Sequence, residues 1–436
     1  MKSTLQAGRI LIALLIVLTV ASECFASASG KEHQFQGTPD GSNPSGGLVS
    51  DGAGNFYGTT SGGGRNTCAL SAPFCGTVFK MTRGSDGSWT GSVIYRFKGG
   101  SDGAAPSGNL IFDQTGNLYG TTVTGGNDEV CNGEGCGTVY KLSPNSDGSW
   151  SESILYRFLG SDDVQQPGSG VIMDGAGNLY GSGGGGCQFE CNGTIFKLSP
   201  NSDGTYSESI LYTFMGGTDG GFPSALAFDS SGNLFGTSSS GGITQPPCVC
   251  GTVFELTPSS NGSWEKTILY SFNDGLDGGT PSGGVIFDHS GNLYGETFDG
   301  GSFACPESGC GVVYELSPVS GGWKFSVVHT FNGLHGSKGS QPSGGLAFDG
   351  DGNLYGTTST GGLASCNNGG GCGTIFELSS KSGGGFSFST IYVFNGATGS
   401  SPDAGVIPDA SGNLYGTTFA GGSSSCGCGV VFSLTP

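Results

Sequence analysis

The chain has 436 residues, of which 89 are glycine and only 11% are charged, and its formal net charge at pH 7 is −19. A surface this acidic is repelled by phosphate backbones and anionic lipid, which excludes nucleic acid and direct membrane binding. Neutral glycans, cations and basic protein surfaces stay open as partners.

Residues 1–28 stand apart from the rest. Lys2 and Arg9 form a positive start, Ile10–Val20 is an uncharged apolar run, and Ala26 and Ala28 offer small-residue cleavage positions. The run is too short to span a bilayer, so a cleaved secretory leader is expected. Glu23, directly before Cys24, argues against the alternative of a lipoprotein anchor at that cysteine. The expected location is secreted, periplasmic or extracellular.

From Gly54 onward one motif dominates. Gly-Asn-Leu-Tyr-Gly or a close variant recurs with its Asn at 55, 117, 178, 233, 292, 353 and 413, a spacing of 55 to 62 residues. A fixed period of this kind outranks every other signal in reading a fold. In the second unit, Gly108–Asp113 predicts a first strand, Leu118–Thr122 a second, Gly137–Ser143 a third and Trp150–Phe158 a fourth. Short Asp-Gly and Gly-Asn connections between β-branched and aromatic runs are hairpin signals. No segment has a helical period.

Four antiparallel strands per unit, repeated radially, describe a β-propeller, here all-β with seven blades. The ends of the chain agree. The last unit stops after its third strand, Gly429–Leu434, while an orphan segment, Glu32–Gln36, precedes the first unit. Its Phe35 aligns with Phe97, Phe158, Phe214, Phe272, Phe331 and Phe394 at the ends of fourth strands. The N-terminal strand is therefore expected to complete the last blade, giving one propeller domain over residues 29–436. A monomer is expected.

Apart from Cys24, the cysteines fall as one pair per repeat: Cys68 and Cys75, Cys131 and Cys136, Cys187 and Cys191, Cys248 and Cys250, Cys305 and Cys310, Cys366 and Cys372, Cys426 and Cys428. Each pair lies between the second and third strands. In an exported chain, paired cysteines at repeating positions read as disulfides. Free thiols or a metal are the alternative, although a zinc site needs four converging ligands and pairs on separate repeats would not meet readily.

The tandem unit Asp-X-X-Gly-Asn-Leu-Tyr-Gly-Thr-Thr, then Gly-Gly, a cysteine loop, Gly-Thr-Val-Phe-Lys-Leu and Leu-Tyr-Arg-Phe, resembles the GloVer tandem repeat. Proteins built of it are called choice-of-anchor tandem repeat GloVer-containing proteins. The resemblance covers residues 32–436 and implies an exported bacterial repeat protein; it carries over no catalytic residue. The chain shows no sorting tail of the kind the family's label suggests, so free secretion or periplasmic retention is expected.

Seven aspartates, Asp51, Asp113, Asp174, Asp229, Asp288, Asp349 and Asp409, end the first strands. A ring of carboxylates holding a cation is one reading; acceptors for each blade's own turn is the one favoured. Ser-Asp-Gly-Ser-Trp at 85–89 and 146–150 is similar to the sialidase Asp-box, which is structural. More open to function are the connections from fourth to first strand, with Asp102, Asp219 and Asp277 and, in related places, Asp40 and Asp162. They share a face with the cysteine loops, where binding residues sit on a rigid scaffold. The fifth unit departs most, with Glu296, Asp299 and Glu307 assigned to that face. These six, Asp102, Asp219, Asp277, Glu296, Asp299 and Glu307, are the candidate ligand contacts, and calcium is the one cofactor they leave open. No catalytic set is legible: Gly99–Gly103 reads Gly-X-Ser-X-Gly without the strand-to-helix setting of a nucleophile elbow, and the four histidines form no metal-ligand spacing. The expectation is a non-enzymatic module binding a polysaccharide or an extracellular protein, with a glycan lyase or hydrolase as the alternative.

Overall fold

The structure is a computed structural model and describes residues 30–65, 68, 75–160, 163–185, 192–243, 250–302, 304–305, 309–333, 338–364, 366, 369–423 and 425–436. The segment expected to be a leader, Cys187, Cys191, Cys248, Asp162 and Glu307 lie outside them. Helix among the described residues is limited to single turns such as Gly100–Asp102, Cys131–Gly133 and Gly217–Asp219.

Seven separate antiparallel sheets form the seven blades of a propeller. Blade II is the plainest, running Ala104–Phe112, Leu118–Thr124, Thr138–Pro144 and Trp150–Arg157 as a meander. Its first strand starts earlier than the sequence pattern predicts, because Ala104 and Pro106 pair with Thr124 and Thr122 ahead of a register shift. The shift falls at Gly108 (φ 73°), where an added Cβ would lie 2.2 Å from the Gly170 nitrogen of the next blade. Likewise a Cβ on Gly46 would lie 2.1 Å from the Gly108 carbonyl. First strands crowd together at the axis, and only glycine permits that approach.

Between blades the core is a repeated aromatic joint. The phenylalanine ending each fourth strand is buried and meets an aromatic on the next blade's third strand edge-to-face: Phe97 with Tyr140, Phe158 with Phe196, Phe214 with Phe254, Phe272 with Tyr314, Phe331 with Phe376 and Phe394 with Phe432. The seventh joint, Phe35 with Phe79 at 5.1 Å, is supplied by the N-terminal strand and closes the ring. Such pairs add roughly 0.5–1.5 kcal/mol each beyond the area they bury.

That N-terminal strand, Gly30–Gln34, pairs antiparallel with Val430–Leu434 and becomes the fourth strand of blade VII. The closure expected from the offset termini is thus the one observed.

Five cysteine pairs are disulfides: Cys68–Cys75, Cys131–Cys136, Cys305–Cys310, Cys366–Cys372 and Cys426–Cys428. Cys250 is also disulfide-bonded. Each bridge closes a short loop, so its entropic contribution is modest. Replacing both Cys131 and Cys136 by serine is expected to lower stability by about 2 kcal/mol. Thermal unfolding of the paired variant checks this, and a fall much larger than that would mean the bridge also positions the blade II core.

Candidate functional site

In a four-stranded meander the second-to-third and fourth-to-first connections emerge on one side. Backbone bonds stitch them together there: Gly126 donates to Gly100, Gly242 to Gly217, Gly301 to Gly275, Gly362 to Lys338 and Gly422 to Gly396. The loop face is therefore a rigid rim carrying the disulfides.

Asp102, Asp219 and Asp277 are all on this face, and each is already engaged. Asp102 accepts hydrogen bonds from the Tyr95 hydroxyl at 2.6 Å and the Lys98 amide at 2.7 Å. Asp219 accepts from the Tyr212 hydroxyl at 2.7 Å, the Met215 amide at 2.8 Å and the Lys266 ammonium at 2.8 Å. Asp277 accepts from the Tyr270 hydroxyl at 2.9 Å and the Asn273 amide at 3.1 Å. Their carboxylates fasten the turn to the aromatic of the preceding strand. Asp40 does the same for His33 at 3.0 Å, and Asp163, not Asp162, holds the Leu159 and Val164 amides. The seven-residue spacing from the fourth-strand Tyr or His to its Asp marks this role in the sequence and would have selected Asp163.

The fifth unit differs from its expected layout. Glu296 does not reach the loop surface: it is fully buried in mid-strand, with Oε1 accepting the Gly345 amide of blade VI at 2.7 Å and Oε2 without a hydrogen-bond partner among the described residues. Burial pushes its carboxyl up to about 8, against the smaller opposing effect of that bond. Asp299 does lie at the loop end of its strand, opposite Gly279. Its Oδ1 is buried without a hydrogen-bond partner among the described residues, as is that of Asp274. Burial, with Asp299 and Asp277 nearby, raises the Asp274 carboxyl. Among the described residues no group of three or more His, Cys, Asp or Glu is placed to hold a metal ion.

The seven first-strand aspartates stay in their turns. Asp113 is representative: Oδ1 accepts the Thr115 and Asn117 amides at 2.9 Å, while Oδ2 takes the Asn117 side-chain amide at 2.7 Å and the Tyr119 hydroxyl at 3.1 Å. In Ser-Asp-Gly-Ser-Trp, likewise, Asp86 binds Ser88 of its own hairpin.

Two features escaped the sequence reading. At the axis a cavity of about 180 Å³ is bordered by Ser45, Asn109, Ser169, Ser224, Gly283, Ser343 and Asp403, one residue from each blade. Asp403 replaces the serine that follows proline in most units; its side chain is exposed to the cavity, and desolvation by the surrounding ring pushes its carboxyl up to about 6. On the loop face, large apolar side chains stand in solvent: Met215 is 73% exposed, Leu276 75% and Phe222 57%, with Leu159, Leu363 and Phe419 also exposed. The signal for Asp403 was its departure from the serine of the other units, whereas Met215 and Phe222 stand at positions where the units differ from one another and carry no such mark.

The architecture is that of a closed seven-bladed β-propeller with a disulfide-stapled loop face. The chain belongs to the Gloeobacter/Verrucomicrobia repeat family, whose profile matches residues 24–187, 129–336 and 305–436. No curated protein sequence matches it. Among solved structures it is similar to an ulvan lyase, a polysaccharide lyase bound to -[GlcA(1-4)Rha3S]-, with TM-score 0.55 and 13% identity over 92% of this chain and 96% of that one. The hydrazine synthase of Kuenenia stuttgartiensis superposes with TM-score 0.53 and 12% identity over 89% of this chain and 96% of that one. At such identities these likenesses concern the fold alone.

Proposed function

We propose that the protein is an exported binding module that presents its loop face to a polysaccharide or a surface protein. The observation that carries this reading is the exposure of Met215, Phe222 and Leu276 on a rim made rigid by backbone stitching and disulfides. Large apolar side chains left in solvent on an otherwise polar, acidic molecule mark a contact surface, and a stiff scaffold lowers the ordering entropy paid on association. Asp274, Asp277 and Asp299 add polar acceptors beside Leu276. Paired cysteines and the expected leader fit work outside the cytosol.

The test is a panel of immobilised polysaccharides and cell-envelope preparations probed with the purified protein, with and without EDTA. Replacing Met215, Phe222 and Leu276 together by serine is expected to weaken retention by about tenfold or more while leaving thermal unfolding nearly unchanged. Undiminished retention would move the contact surface elsewhere. A glycan lyase or hydrolase is the second reading, favoured by the gathering of Asp274, Asp277 and Asp299. Glycan turnover that disappears in Asp299→Asn would establish it over binding alone.

A further inference from the structure

On the opposite face, the seam between blades IV and V opens into a groove of about 490 Å³. That is within the range of roughly 300–1,000 Å³ typical of small-molecule sites. It is bordered by the first-to-second-strand turns of both blades (Phe228, Asp229 and Ser230; Phe287, Asp288 and His289), by Phe235 and Glu255 of blade IV, and by Trp323 of blade V. Among the described residues no lysine or arginine borders it.

Two positions of blade IV, one of them unique to it, set the chemistry of the groove. At the tyrosine of Asn-Leu-Tyr-Gly, blades I, II, III, V, VI and VII carry Tyr57, Tyr119, Tyr180, Tyr294, Tyr355 and Tyr415, whereas blade IV carries Phe235. Elsewhere that hydroxyl serves the turn aspartate, as Tyr180 does for Asp174 at 3.0 Å and Tyr415 for Asp409 at 3.0 Å. Asp229 keeps its turn bonds from Ser231 and Asn233 but has no such hydroxyl to accept. The facing third-strand position holds Lys80, Lys141 and Lys197 in blades I to III, with Lys80 and Lys197 over the tyrosine ring at 5.5 Å. In blade IV it is Glu255. In blade V the equivalent Glu315 has the Tyr294 hydroxyl as a donor; among the described residues Glu255 has only the Thr257 hydroxyl at 3.4 Å. Desolvation and the nearby Asp229 raise its carboxyl. Two carboxylates thus share a half-enclosed groove that lacks both the tyrosine hydroxyl of the other six blades and the lysine ammonium of blades I to III.

We infer that this groove binds an amino sugar, a pyranose bearing a free ammonium, within a polysaccharide. The ring's apolar face suits Trp323, Phe228 and Phe287. Its vicinal hydroxyls and ammonium supply the donors that Asp229 and Glu255 lack, in the charge-assisted form that gains most where water is partly excluded. An anionic glycan is repelled by the same carboxylates, and a neutral one leaves the charge of Glu255 unanswered. This site is separate from the loop face and does not rest on its function.

The test uses calorimetry on the full chain with β-1,4-linked glucosamine tetramer, its N-acetylated counterpart, cellotetraose and oligolysine. The glucosamine tetramer is expected to bind about tenfold or more tighter than either uncharged sugar. Glu255→Lys and Phe235→Tyr restore residues that other blades already accommodate, so folding is retained, and thermal unfolding verifies it. Each is expected to weaken glucosamine binding, Glu255→Lys by about tenfold or more. Absence of glucosamine binding at millimolar concentration, or equal binding by a folded Glu255→Lys protein, overturns the inference. Tighter binding of oligolysine than of the tetramer replaces it with a peptide site.

Discussion

Phe35→Ala is expected to lower stability by about 3–5 kcal/mol, the range for a large aromatic removed from a packed core. Phe35 is fully buried. Its ring meets His33 at 4.8 Å and Phe79 of blade I at 5.1 Å and shares a core cluster with Cys428 and Val431, so it joins the two ends of the chain. Its amide also donates to the Gly429 carbonyl at 3.1 Å. Deleting residues 30–36 is the harsher version. It removes the fourth strand of blade VII and the closing aromatic joint, and leaves the Val430–Leu434 edge unpaired. An exposed, apolar edge strand is a template for intermolecular pairing, so the truncated protein is expected to aggregate when expressed. Denaturant unfolding of Phe35→Ala and size-exclusion chromatography of the deletion are the measurements. A deletion that stays monomeric and unfolds as the full chain does would show that the ring holds without its clasp.

Glu296→Gln is expected to stabilise the protein at pH 7 and to have little effect near pH 4. Burial holds the Glu296 carboxyl at about 8, against about 4.3 in an unfolded chain. Between those values the unfolded chain releases the proton and the folded protein keeps it, so stability falls as pH rises through the window and is level above it. At pH 7 this one group lowers stability by on the order of 3 kcal/mol. Glutamine keeps the acceptor for the Gly345 amide and removes the ionisation. Glu208, pushed up to about 8 by burial and Asp163, and Glu152, pushed up to about 7 by burial and Asp102, act in the same direction. The turn aspartates act oppositely. Burial alone would raise Asp113, but the Asn117 side chain and the turn amides outweigh it and hold it at about 2. Its contribution is present above the ordinary aspartate value and is lost as pH falls towards 2. Stability is therefore expected to peak on the acid side of neutrality, near pH 4–5. Thermal unfolding across pH checks both limbs, and a wild-type-to-Gln difference that does not change with pH would refute the neutral, buried state of Glu296.

Glu296 also shows where a sequence reading fails. Residue by residue it looked like a ligand contact, an acid where other units carry threonine or serine. Strand alternation says which side of the sheet it occupies, but not that this side meets blade VI at a glycine amide. Asp102, Asp219 and Asp277 lie in the fourth-to-first connections, and their Tyr–Asp spacing was legible in the sequence. What they hold became visible only once the turn was folded, because the acceptors and donors come from two strands and a connection. The blade IV groove had a clear textual sign, Phe235 within six tyrosines, yet its meaning depends on Glu255 and Trp323, which lie apart in the chain and converge only across a seam.

The period of about 60 residues, the hairpin turns, the cysteine pairs and the offset ends determined the seven-bladed ring, because each is a local pattern repeated in register and the chain can satisfy all of them only by closing on itself. Tertiary structure decided which acids are neutral, which are anchored and which still have acceptor capacity. Those properties depend on solvent exclusion and on donors brought in from neighbouring blades, and neither is encoded in any single repeat.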